Sequence, residues 1–134
     1  MFECPLNGLC ESNNVVYQAT VTSDDGRVEN YVGVAANFKT RYYGHRTSLN
    51  NPNYKSETTL SKYVWKLKEE KKNFILKWKI IDRAPLYNPL TKKCNLCNKE
   101  KFYIMYRRDM ATLNRRSEVY TACKHRIMQL LVKS

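Results

Sequence analysis

Apolar side chains recur at every second position near the start of the chain. In "NVVYQATV" (14–21), Val15, Tyr17, Ala19 and Val21 share one face and more polar groups the other, which predicts a strand over 15–22. "SDDGR" (23–27) is turn chemistry, with Gly26 able to take a positive φ, and a second strand over about 28–34 closes a hairpin. Asn37 reads as an N-cap for a short helix over "FKTRYYGH" (38–45), weakened near its end by Gly44. Residues 46–57, "RTSLNNPNYKSE", read as a polar loop.

The period then lengthens. "TTLSKYVWKLKEEKK" (58–72) places Leu60, Val64 and Leu67 on one helical stripe, with Thr58 or Thr59 as cap. "NFILKWKII" (73–81) returns to alternation: Phe74, Leu76, Trp78 and Ile80 face one way, and Lys77 and Lys79 interrupt the other. Pro85 and Pro89 bracket a loop. "CNLCNKEKFYIMYR" begins as loop and continues as helix, and a last helix over about 115–132 carries Val119, Cys123, Ile127 and Leu130 in register. The order ββα-α-β-α-α is α+β: one domain over residues 1–134, with a small three-stranded sheet flanked by helices.

Charge narrows the class of partner. Lys and Arg number 24 against 12 acids, a net charge of +12, which favours a polyanion and by default nucleic acid. No run approaches the ~20 apolar residues of a membrane span, so no membrane partner is expected. "MFECPLNGLCESN" lacks the basic start and apolar core of a signal peptide. The five cysteines, Cys4, Cys10, Cys94, Cys97 and Cys123, are odd in number, which argues against a disulfide framework and for metal in a reducing, intracellular setting.

Cys94-x2-Cys97 is half a zinc knuckle. If the third strand runs antiparallel to the first, its end lies near Cys4 and Cys10, so residues 1–13 and 94–97 would form a structural Zn²⁺ element with four thiolates. Cys123 and His125 compete as ligands. Cys123 also falls in an apolar stripe, where a buried free thiol is the alternative, and all five cysteines could be buried and reduced.

The paired motifs "VVY" (15–17) and "YVG" (31–33), joined by a hairpin, resemble those of the GIY-YIG nuclease family. Val15 stands where that family has Gly. Arg41 lies ten residues after Tyr31, His45 one helical turn later, Glu100 on a helix after the third strand, and Asn114 beyond it, in the family's order. "CPLNGLC", "YVGVAANFKTRYYGH", "CNLCNKEKFYI" and "LNRRSE" followed by "CKH" look most like the endonuclease domain of Penelope-like retroelements. The resemblance covers nearly the whole chain. It departs at Val34, where several relatives carry Lys or another polar group.

The resemblance implies a three-stranded antiparallel fold and a metal-dependent DNA endonuclease. The enzyme would nick one strand and leave a 3′-hydroxyl that primes a reverse transcriptase of the same polyprotein, in the nucleus. Its site residues would be Tyr17, Tyr31, Arg41, His45, Glu100 and Asn114. Glu100 would hold Mg²⁺ or Mn²⁺. Arg41 would fork onto phosphate. The tyrosines would place hydroxyls at the attacking water, with Tyr17 as general base if Arg41 and the metal lower its ordinary pKa of ~10. His45 would orient a tyrosine or take a proton, and Asn114 would fix the loop or touch phosphate. Lys39, Arg107, Arg108, Arg115 and Arg116 would contact the DNA backbone. Two other readings stand beside this one: a zinc-stabilised nucleic-acid-binding module without catalysis, and a homing or repair nuclease on the same fold.

Overall fold

In the computed structural model, residues 4–6, 8–84 and 95–114 are described. Strands β1 (Asn13–Ser23) and β2 (Val28–Asn37) form the expected hairpin, closed by Gly26 at φ 84° and by the Ser23 N–H donating to Arg27 O at 2.9 Å. Strand β3 (Phe74–Arg83) pairs antiparallel with the other side of β1, so the sheet order is β2-β1-β3. Helices α1 (Phe38–Asn50), α2 (Thr59–Glu69) and α3 (Asn95–Tyr106) complete an α+β fold.

The strand alternation sorts the core into two clusters. On one face, Val15, Tyr17, Ala19 and Val21 pack with Phe38 and Leu49 of α1, Leu60, Val64 and Leu67 of α2, and Phe74, Leu76, Trp78 and Ile80 of β3. On the other, Val16, Val32, Val34 and Ala36 pack with Leu96 and Tyr103 of α3 and with Ala111. The second face of β1 was expected to be more polar. It is covered instead, and Gln18 is buried there because its Nε2 donates to Met110 O at 2.9 Å.

A bulge sits beside the residue of greatest interest. Val16 pairs with Asp82, but Tyr17 pairs with Ile80, leaving Ile81 as the extra residue. It turns Ile80 to the Tyr17 face and Ile81 to the Val16 face, the re-aiming for which bulges are used.

Two helix lengths differ from expectation. Helix α1 continues to Asn50 rather than stopping at His45. Gly44 costs about 1 kcal/mol relative to Ala in a helix, but burying Leu49 returns roughly 1.5–3 kcal/mol. Trp65 Nε1 also holds Ser48 O at 2.7 Å, and Lys68 Nζ holds Leu49 O. Helix α2 ends at Glu69 rather than at residue 72, since Lys71 is left-handed at φ 58°. Its start is a capping box between Thr58 and Ser61. The loop around Pro85 and Pro89 and the helix expected over 115–132 lie outside the described residues. Among the described residues no helix is long and apolar enough to cross a membrane.

Candidate active site

The site is built around a tyrosine with no exposed surface. Tyr17 stands on β1 directly opposite Gly33 of β2, and its ring fills the space a side chain there would need. Phe38, His45 and Trp78 surround the ring at centroid distances of 5.4, 5.7 and 5.9 Å. Its hydroxyl lies 2.6 Å from His45 Nε2. His45 is 1% exposed, and its Nδ1 is buried without a hydrogen-bond partner. The neutral ring therefore suits a proton on Nε2, donated to the Tyr17 oxygen: this leaves a bare lone pair at Nδ1 rather than an unpaired buried N–H.

Arg41, one turn before His45 on α1, stands close enough to the hydroxyls of Tyr17 and Tyr31 to interact with both. Tyr17, with a lesser part from Tyr31, holds the guanidinium above its ordinary pKa against the opposing effect of burial. Burial pushes Tyr17 up to about 12, although Arg41 pulls it down. Burial, aided by Arg41, holds His45 well below its ordinary value, so the ring stays neutral. The expectation that Arg41 could make Tyr17 a base near neutral pH therefore meets a larger opposing effect, desolvation of the phenolate.

These groups open onto a cleft of about 420 Å³. Tyr17, Tyr31, Thr40, Arg41 and Glu100 line it, with the backbone of Gly33–Ala36. Glu57, from the loop before α2, lines it too and was not singled out from sequence. Five of the six expected site residues are thus brought together: four on the cleft, and His45 directly behind Tyr17. The glycine of the "YVG" motif, Gly33, is the one that gives Tyr17 its room.

Asn114 has a different place. It is 2% exposed and is absent from the cleft lining. Its Oδ1 accepts from Val32 N at 2.7 Å and its Nδ2 donates to Val32 O at 2.9 Å, so the side chain serves as one more strand partner for β2. This is a fixing role, one of the two expected of it. Arg108, also expected at the DNA backbone, donates from its guanidinium to Ile104 O at 2.9 Å and Asn114 O at 2.6 Å, closing α3 and holding the Asn114 segment. Arg107 is half exposed and faces Asp109 at 3.6 Å, and Lys39 pairs with the exposed Glu11 at 3.2 Å. Such surface pairs leave both cations accessible. Arg115 and Arg116 lie outside the described residues.

The donors around the cleft are all oxygen: two carboxylates and the hydroxyls of Thr40, Tyr17 and Tyr31. That chemistry fits Mg²⁺ or Mn²⁺, which take few protein ligands and keep several waters. The zinc expectation fares differently. Cys4 and Cys10 are joined to each other as a disulfide, so neither offers a thiolate. Cys4 packs with the cluster under α1 and α2, whereas Cys97 packs with the cluster on the opposite sheet face. The described residues thus show no four-thiolate set. Among the described residues no group of three or more His, Cys, Asp or Glu is placed to hold a metal. Cys94, Cys123 and His125 lie outside them. No family model matches the chain, and neither a curated protein nor a solved structure matches it.

Proposed function

We propose that the chain is a metal-dependent DNA endonuclease of the GIY-YIG kind. It would nick one strand to leave a 3′-hydroxyl and serve a Penelope-like retroelement beside its reverse transcriptase. The single observation that carries this reading is the convergence of Tyr17, Tyr31, Arg41 and Glu100, from β1, β2, α1 and α3, on one cleft. The net charge of +12 suits a phosphodiester substrate.

In this reading Arg41 binds the scissile phosphate with the guanidinium N–H groups not engaged by the tyrosines. Glu100, with Thr40 at the same cleft, would hold Mg²⁺ or Mn²⁺; when bound, the ion supplies charge relief at the phosphate and a more acidic water. Tyr17 keeps its proton. With Arg41 and His45 both donating to its oxygen, its own O–H turns to the cleft and orients the attacking water or a phosphate oxygen. The proton of that water passes to Glu57, whose carboxylate is solvent-exposed. The water oxygen bonds to phosphorus, the P–O3′ bond breaks, and the 3′ oxygen takes a proton from solvent.

Plasmid nicking tests the reading. Supercoiled DNA is incubated with the protein and Mg²⁺ or Mn²⁺, beside Glu100→Ala and Arg41→Ala variants checked for folding. Metal-dependent conversion to open circle, lost in both variants, supports it. DNA binding with no cleavage in either metal would favour a non-catalytic binding module. Cleavage that survives Glu100→Ala would remove Glu100 as the metal carboxylate.

A further inference from the structure

Strand β2 is an edge of the sheet, and among the described residues its outer side is only partly paired. Asn30 N donates to Thr112 Oγ1 at 2.7 Å, Leu113 N donates to Asn30 O at 2.8 Å, and Asn114 clamps both backbone groups of Val32. Residues 112–114 thus act as a short fourth partner along Asn30 and Val32. The even residues of β2 direct their peptide groups away from β1, since Asn30 and Val32 do so and the antiparallel register is unbroken from Val28 to Ala35. The next outward group is the N–H of Val34. It falls where β2 lines the cleft that Arg41 also lines, and no described residue pairs with it.

We infer that the Val34 N–H is a phosphate-binding group of this cleft, donating to a non-bridging oxygen of a phosphodiester that Arg41 also holds. The inference deepens the nuclease reading and rests on it for the identity of the ligand. Three features carry it. An edge N–H held by its strand is a preorganised donor that needs no reorganisation when charge builds on the oxygen. The Val34 side chain packs under α3, in the cluster with Leu96, so the residue cannot swing away. A stretch of edge with no described partner also invites an added peptide strand, but the guanidinium of Arg41 on the same cleft and the excess of cations favour an anion.

The test separates this inference from the reading on which it rests. Protein labelled with ¹⁵N at valine and arginine is titrated, without metal, with a thymidine dinucleoside monophosphate, and the amide of Val28 at the far end of β2 serves as reference. A saturable downfield shift of the Val34 amide in parallel with Arg41 Nε–H, with Val28 unmoved, is expected. Movement of Arg41 alone, or of neither, overturns the inference. Movement of Val34 in a protein that nicks no plasmid keeps the phosphate site and removes the nuclease. A second comparison uses Val34→Pro, which deletes the N–H at an edge position where proline is tolerated, and Val34→Ala, which keeps it. Val34→Pro should weaken DNA binding about tenfold to a hundredfold beyond Val34→Ala, as loss of one charge-assisted hydrogen bond implies. Equal affinity of the two folded variants overturns the inference.

Discussion

The ring of Tyr17 occupies the place where a Cβ on Gly33 would stand, so the two strand residues fit only as a pair. A methyl group at Gly33 would overlap the phenol hydroxyl itself, and the ring is boxed by Phe38, His45 and Trp78. The tyrosine must therefore leave its position or the strands must part. Gly33→Ala should cost about 1–3 kcal/mol, the range for overpacking a filled core. Urea unfolding reads it. Gly44→Ala is the contrast, because there the nearest atom is the tip of Arg41 at 3.7 Å. That change should stabilise α1 by about 0.5–1 kcal/mol. A stable Gly33→Ala protein would mean that Tyr17 is not held as described.

The buried neutral imidazole makes stability depend on pH. The folded-state pKa of His45 lies well below its ordinary 6.5, so the unfolded chain binds the proton more readily. Stability is then intact above about pH 6.5 and falls as pH drops below it, with a slope of up to about 1.4 kcal/mol per unit from this one group. His45→Gln should flatten that slope between pH 6.5 and 5. Denaturant midpoints across this range decide the matter, and an unchanged slope would assign the pH dependence to other groups.

Asn114 offers a stability test independent of catalysis. Asn114→Ala would leave the Val32 N–H and C=O without partners at a buried edge. The expected loss is about 2–4 kcal/mol, since each stranded backbone group costs roughly 1–3 kcal/mol. Hydrogen exchange at the Val32 amide should accelerate more than at Ala19 in the central strand. Unchanged exchange would show that the side chain is no strand partner.

The fold was largely legible because its signals are local and periodic. Alternation around Tyr17 and Trp78 gave the strands, and the 60, 64, 67 stripe gave α2. The hairpin needed only Gly26. What escaped depends on tertiary contact. The extra turn of α1 rests on Leu49 reaching the core and on Trp65 reaching back to Ser48. The burial of Val16 and Gln18 depends on α3 and on the segment after it. At the site, residue types and order pointed to Tyr17, Tyr31, Arg41, His45 and Glu100, but not to which group prevails electrostatically. Full burial of Tyr17 outweighs Arg41, and no spacing reveals that. Glu57 comes from a loop with no periodicity, and the roles of Asn114 and Arg108 follow from where the chain turns after α3.

The disulfide between Cys4 and Cys10 can be set against the zinc reading directly. It ties down the segment that buries Leu6 and Cys10 beside α1. Opening so short a loop should cost on the order of 2 kcal/mol. Thiol titration of the unfolded, unreduced protein should therefore miss two of the five cysteines, and reductant should lower the denaturation midpoint. Five reactive thiols together with stoichiometric zinc would restore the four-thiolate site.

The most consequential test concerns where the proton of the attacking water goes. Tyr17 ionises at about 12 and is an unfavourable acceptor at neutral pH, whereas Glu57 is a carboxylate on the same cleft. Tyr17→Phe keeps the ring that fills the space beside Gly33 and removes only the hydroxyl. It strands the buried His45 N–H at a cost of about 1–3 kcal/mol, and it should reduce nicking about 10²-fold through lost positioning. If Tyr17 were the base, the rate of the wild type would go on rising with pH toward the tyrosine range, and Tyr17→Phe would abolish that rise. If Glu57 accepts the proton, the pH dependence persists in Tyr17→Phe and disappears in Glu57→Gln. Single-turnover nicking at saturating protein, measured from pH 5 to 9 for the three proteins, separates the two because the limb moves with whichever residue holds the proton.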